Sequence, residues 1–470
     1  MRTPSATVRL DRVMPPRRWP KPPGVVDLAG LSIVLALAAG FAIVMVTTPL
    51  GSGDYGQWLM TSRAYLGQSV PAYRTIGDVP PLVPWILALI RHIVTDPIAA
   101  LNVLSIGLLG LLMAGFYLAA RALFASALAG MVAVALAFLA TDQFSGLFSF
   151  GGLLQAAAVA FTALSVAAFA RAPGAGRWQG TLWILGSLGL ALAALSHLAT
   201  GAIAIVACTG VAAISVSRMP GTWRARLRAL VPVAVCLGAV GVWWALALLP
   251  GSAAYVTNPA SLNFRGPDRL VEALVGYGPT IGLMAGGAAA ICVGAGRELV
   301  RRSPGPFCLV AAWAAVAVGS LAYSVGTGAA TDYPRFTTPL LAPLVVAGAG
   351  GLVAATRWLG QRLPGAARRL PATATLVAST LLVLAATPTA VGAYSETARG
   401  YEIADMASLR AAATWVAAHI PADGTILAPV REAKWLEGLT GRAALFDNPI
   451  RYSFRADEWQ RSIAATALLQ

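Results

Sequence analysis

The chain has 470 residues, of which 57% are hydrophobic and only 11% charged, and its mean hydropathy is +0.71. A soluble domain carries about 25% charged residues, so a soluble globular protein is excluded and an integral membrane protein is expected. The net charge of +15 does not indicate nucleic-acid binding, because the arginines come in short strings between apolar runs rather than as one clustered patch.

The N-terminal stretch 1–24 holds Arg2, Arg9, Arg12, Arg17, Arg18 and Lys21. The apolar run behind it exceeds the roughly 7 to 15 residues of a signal-peptide core, so it reads as an uncleaved first span. A bilayer requires roughly 20 apolar residues per helix. Cutting the chain at charged and Pro/Gly-rich breaks gives eleven spans, near 25–48, 98–120, 127–143, 150–170, 180–195, 198–217, 229–249, 279–296, 306–325, 337–356 and 372–391. A shorter apolar segment, PPLVPWILALIRHIV (80–94), carries Arg91 and His92 and suits a helix lying at the interface. The expectation is an all-α polytopic membrane protein of about 11 transmembrane helices. It comprises a basic tail 1–24, a transmembrane domain 25–391 with a first outer loop 49–97, and a C-terminal segment 392–470.

Loop charges give an orientation. The N-terminal tail and the loops around Arg121, Arg171, Arg218–Arg228, Arg297–Arg302 and Arg357–Arg369 hold about 20 Lys and Arg, against about six on the other face. Positive charge marks the cytoplasmic side, so the N-terminus is expected inside and the segment from 392 outside. Asp54, Asp78, Asp96, Asp142, Asp268, Glu272 and Asp332 all fall on the outer side. Topology does not demand that asymmetry. The four cysteines lie in apolar stretches without C-x-x-C spacing and read as buried small hydrophobes.

The outer face therefore carries the candidate chemistry. Asp54 follows Gly51-Ser52-Gly53 and precedes a helical pattern in which Tyr55, Trp58, Leu59, Ser62 and Leu66 recur. Aromatic rings favour headgroup depth, so this helix is expected to lie flat at the boundary. A carboxylate there can act as a general base or ligate a divalent cation, or simply cap the helix. Arg335, in ATDYPRFTTPLLAPLV, sits where it can grip a phosphate or snorkel to ordinary headgroups, and Asp332 can pair with it. His197, between the fifth and sixth spans, can shuttle a proton, ligate a metal, bind a phosphate or cap a hairpin. Asp142 occupies a comparable turn, and Glu272 and Tyr277 are weaker candidates.

The acid after the first span, PPLVPWILALI, and YPRFTTPLLAPLVVAGAGG together resemble the GT-C class of polytopic glycosyltransferases. The resemblance is to the group that includes protein O-mannosyltransferases and lipid A aminoarabinose transferases. It implies transfer of a sugar from a polyprenyl-phosphate donor to an extracytoplasmic glycan, lipid or protein acceptor in a bacterial plasma membrane. On this resemblance Asp54 is the catalytic base or a metal ligand and Arg335 holds the lipid phosphate. His197, Asp332, Asp142, Tyr55 and Trp58 are then candidates for substrate contact. The pattern departs from many relatives in lacking a paired acid, since Tyr55 and Gly56 follow Asp54.

In the C-terminal segment the pattern changes to a helix (408–420), a turn at Pro421–Gly424, a strand TILAP, a helix near 431–438 and a strand near AALF. This alternation reads as a small, incomplete α/β unit, either shortened or packed on the outer loops. Two other classes remain in play. A transporter or flippase predicts midplane charges and internal repeats, neither of which stands out, and a non-catalytic envelope-assembly protein predicts tolerance of changes at Asp54.

Overall fold

The computed structural model describes residues 54–71, 79–140, 144, 146–149, 151–248, 278–327, 334–364 and 405–445, with scattered positions in 32–43, 373–392 and 460–468. Among the elements described from residue 54 onward, two short helices come first, α1 (Tyr55–Tyr65) and α2 (Leu82–Arg91). Among the described residues nine helices of the bundle follow: α3 (Pro97–Phe124), α4 (Ala127–Leu139), α5 (Leu153–Arg171), α6 (Gln179–Ala194), α7 (Leu198–Ser217), α8 (Trp223–Trp243), α9 (Gly278–Val300), α10 (Pro306–Thr327) and α11 (Pro334–Arg362).

These nine fall on nine of the eleven apolar segments read from the sequence. Among the described residues seven helices are long and apolar enough to cross a membrane. α4 and α6 are shorter, with 13 and 16 residues. The segments 25–48 and 372–391 lie almost wholly outside the described residues, as do Glu272, Tyr277 and the tail 1–24.

Helix starts follow their local chemistry. Asp96 caps α3, its Oδ1 accepting from the Ala99 amide at 2.7 Å, with Pro97 at the first helical position, where a missing N–H does no harm. Ser126 caps α4 in the same way. Small residues let the central helices approach. A methyl added at Gly115 of α3 would lie 3.3 Å from the Ala163 Cβ of α5, the close small-residue packing that replaces hydrophobic drive inside a bilayer. Outward-facing Ile184, Leu185 and Leu188 of α6 and Val231, Val235 and Val242 of α8 are exposed, as befits side chains whose solvent is lipid.

The C-terminal segment holds α12 (Met406–His419), β1 (Thr425–Ile426), α13 (Val430–Thr440) and β2 (Ala443–Ala444). The two strands pair in parallel, Thr425 opposite Ala443 and Ile426 opposite Ala444. α13 is the crossover. Glu437, buried in α13, accepts the Ala444 amide at 2.7 Å and ties the second strand to the helix. This unit packs onto α1, with α13 lying along it.

Candidate active site

α1 sits between the helical bundle and the C-terminal unit, so it is an internal element rather than a helix lying free at the boundary. Tyr55 is fully buried and Trp58 nearly so. The Tyr55 hydroxyl donates to the Phe148 carbonyl at 2.5 Å, and the Trp58 Nε1 donates to the Gly151 carbonyl at 2.6 Å. Both side chains pin α1 to the loop between α4 and α5. Gly151 has φ +87°, and a Cβ there would stand 2.9 Å from the Tyr55 amide nitrogen and 3.1 Å from that of Asp54. Only glycine fits both the left-handed backbone and the approach.

On its other side α1 meets α13 backbone to backbone. A methyl at Gly56 would overlap the Lys434 carbonyl, and one at Gly438 would overlap the Gly56 carbonyl. Trp435 stacks beside Tyr55 at a centroid distance of 6.4 Å.

Asp54 occupies the N-cap position of α1, yet its side chain makes no cap hydrogen bond. Its backbone φ of −96° and ψ of 1° differ from the extended geometry usual at a cap. The carboxylate turns instead to the C-terminal unit, where its Oδ1 accepts from the Lys434 Nζ at 3.0 Å. The Lys434 side chain is 9% exposed and that of Asp54 37%. One side of the acid is therefore held from within and the other is open.

The sequence reading missed Lys434. The available signal was compositional, since Lys21 and Lys434 are the only lysines in a chain that otherwise uses arginine. A divalent cation bound through oxygen needs several converging ligands. Among the described residues no three His, Cys, Asp or Glu side chains gather, and the group held against Asp54 is an ammonium. The described surroundings of Asp54 do not fit a metal centre.

His197 caps α7, its Nδ1 accepting the Thr200 amide at 3.1 Å. An accepting Nδ1 leaves the neutral ring's proton on Nε2. The adjacent turn supports α2, whose Leu82 amide donates to the Leu195 carbonyl at 3.1 Å. Arg335 is the second residue of α11; its side chain lies outside the described residues, as do Asp142 and Asp332. α11 runs parallel to α9, Gly287 facing Leu344 and Gly351 facing Ala290. The starts of α9 and α11 therefore lie at one end of the bundle. Through its contacts with Phe148 and Gly151, α1 sets Asp54 beside the loop that leads into α5.

Two further clamps hold the C-terminal unit. Arg410 of α12 pairs with Asp96 at 2.5 Å, and that hydrogen bond, with the Ala99 amide, holds the Asp96 carboxyl below its ordinary range. Arg63 of α1 donates to the Leu439 carbonyl at 3.1 Å and to that of Ser69 at 3.1 Å. Burial, then the neighbouring Arg91 and Arg442, lower the Arg63 guanidinium to about 10.

A bundle of apolar helices, with two short helices and a C-terminal α/β unit packed against it, defines a polytopic membrane protein with a GT-C-like fold. Among solved structures the chain is similar to ArnT from Cupriavidus metallidurans bound to undecaprenyl phosphate. That match has a TM-score of 0.58 and 15% identity over 89% of this chain and 85% of that one. It is also similar to the apo state of that protein, with a TM-score of 0.55 and 14% identity over 88% and 86%. At such identity the likeness is one of fold. No protein-family model and no curated protein matches the chain.

Proposed function

We propose that the protein transfers a sugar from a polyprenyl-phosphate donor to a hydroxyl acceptor at the extracytoplasmic face of the plasma membrane, with its N-terminus in the cytoplasm. The observation that carries this reading is Asp54: a carboxylate fixed by α1 and Lys434, with an open side; the reading sets Arg335, the second residue of α11, on the same face. The fold shared with a protein solved with undecaprenyl phosphate supports the donor class.

A polyprenyl donor cannot leave the bilayer, so its phosphate is met at headgroup depth while the sugar C1 faces outward. In the reaction the acceptor oxygen forms a bond to C1 as the bond from C1 to the phosphate oxygen breaks. Asp54 takes the acceptor proton, and the electron pair leaves on the polyprenyl phosphate. Arg335 stabilises that growing negative charge, an effect exerted mainly in the transition state.

The test uses detergent-solubilised full chain, synthetic undecaprenyl-phosphate-linked pentose, hexose and aminopentose, and membranes of the expressing cells as acceptor source. Released undecaprenyl phosphate is read by mass spectrometry. Asp54→Asn is expected to lower turnover by about 100-fold or more, the range of general-base contributions, with folding retained. Turnover by Asp54→Asn equal to that of the unmodified chain refutes the reading.

A further inference from the structure

Lys434 lies 380 residues from Asp54 in sequence, and it is one of two lysines among the 34 basic residues. An arginine presents a wide planar fork, whereas a lysine presents a compact point charge. The compact form suits the space between α1 and α13, where the Gly56 and Gly438 backbones touch. Among the described residues the ammonium has a single partner, Asp54 Oδ1, and Asp54 Oδ2 has none.

The contact is not built to release. Lys434 is nearly buried, its own carbonyl abuts Gly56, Trp435 beside it stacks on Tyr55, and Arg63 fastens the far end of α1 to Leu439. An autoinhibitory latch would require breaking all of these. A permanent fixture requires none of it broken.

Resting on the reading of Asp54 as the base, we infer that Lys434 is a positioning residue of the transfer reaction. It fixes one oxygen of Asp54 so that the other is presented to the acceptor hydroxyl, and the C-terminal unit is thereby part of the active site. A misplaced base loses rate steeply, so the loss on removing Lys434 should fall on kcat more than on KM.

The experiment is a double-mutant cycle on full-length Lys434→Met, Asp54→Asn and the pair, with the same donors and the same readout of released undecaprenyl phosphate. Lys434→Met is expected to lower kcat about 10-fold or more with KM changed less than about threefold. In the Asp54→Asn background it should change turnover less than about twofold, because it acts through the acid. A structural role would instead give two losses that multiply, which overturns the inference, as does Lys434→Met turning over like the unmodified chain.

Trypsin protection of the C-terminal unit reports whether each variant is docked. If Lys434→Met is undocked, Lys434→Arg replaces it; that variant keeps the charge but moves it, and is expected to lose about fivefold or more in kcat while staying docked. Unchanged kcat in the docked arginine variant overturns the inference. Wild-type turnover in Asp54→Asn removes the proposed function and this inference together. A dead Asp54→Asn beside a fully active Lys434→Met removes the inference alone.

Discussion

Gly56→Ala tests whether the contact between α1 and α13 is as close as described. In an open helix alanine is favoured over glycine by about 0.8–1 kcal/mol, so propensity alone predicts stabilisation. Here the added methyl would overlap the Lys434 carbonyl, which belongs to a helix backbone and cannot swing aside as a side chain would. Overpacking typically costs about 1–3 kcal/mol, so the expected net effect is a loss of up to about 2 kcal/mol. That loss should be local, weakening the docking of α13 before it melts the bundle. Trypsin cleavage at Arg431 and Arg442 should quicken severalfold, and turnover should fall as Lys434 withdraws from Asp54. Gly107→Ala on α3, where nothing lies within 4 Å, serves as the control and should leave both readouts unchanged. Unaltered protection in Gly56→Ala would refute the backbone contact.

At His197 the asparagine variant separates capping from proton transfer. Asn caps helices well, whereas loss of a cap costs about 0.5–2 kcal/mol. Normal thermal stability and turnover in His197→Asn, with a lowered melting temperature in His197→Ala, would assign the residue to capping; lost turnover in a stable His197→Asn would assign it to chemistry. The Asp96–Arg410 pair should show in the pH dependence of docking. Because the folded Asp96 carboxyl titrates below its ordinary value, its contribution is present above about pH 4 and lost as pH falls through the folded value. Both side chains are substantially exposed, 39% and 47%, so the contribution is at most about 1 kcal/mol and should vanish in Arg410→Ala, read by hydrogen–deuterium exchange of the C-terminal unit between pH 3 and 7, corrected for the intrinsic exchange rate at each pH.

The bundle was legible because a bilayer imposes one length on every span. The terminal elements were legible because Pro421–Gly424 and the alternation of apolar residues around it are local signals. α1 was read as a helix but misplaced: Tyr55 and Trp58 suit an interface by type, and only the three-dimensional structure reveals the Phe148 and Gly151 carbonyls that take their hydrogen bonds. Asp54 was legible as a candidate and its helix-capping alternative was not realised in the side chain, which turned to a residue no local pattern connects to it. Long-range pairs of this kind leave no periodicity to read. Asp142, Asp332 and the Arg335 side chain fall outside the described residues.

The order of synthesis gives the Asp54–Lys434 contact a temporal meaning. The ribosome delivers the acid early and its lysine partner only after every described helix of the bundle has been made. A nascent chain carrying the first residue and lacking the second therefore holds α1 without the helix that packs against it, and the contact forms only after residue 434 has been made.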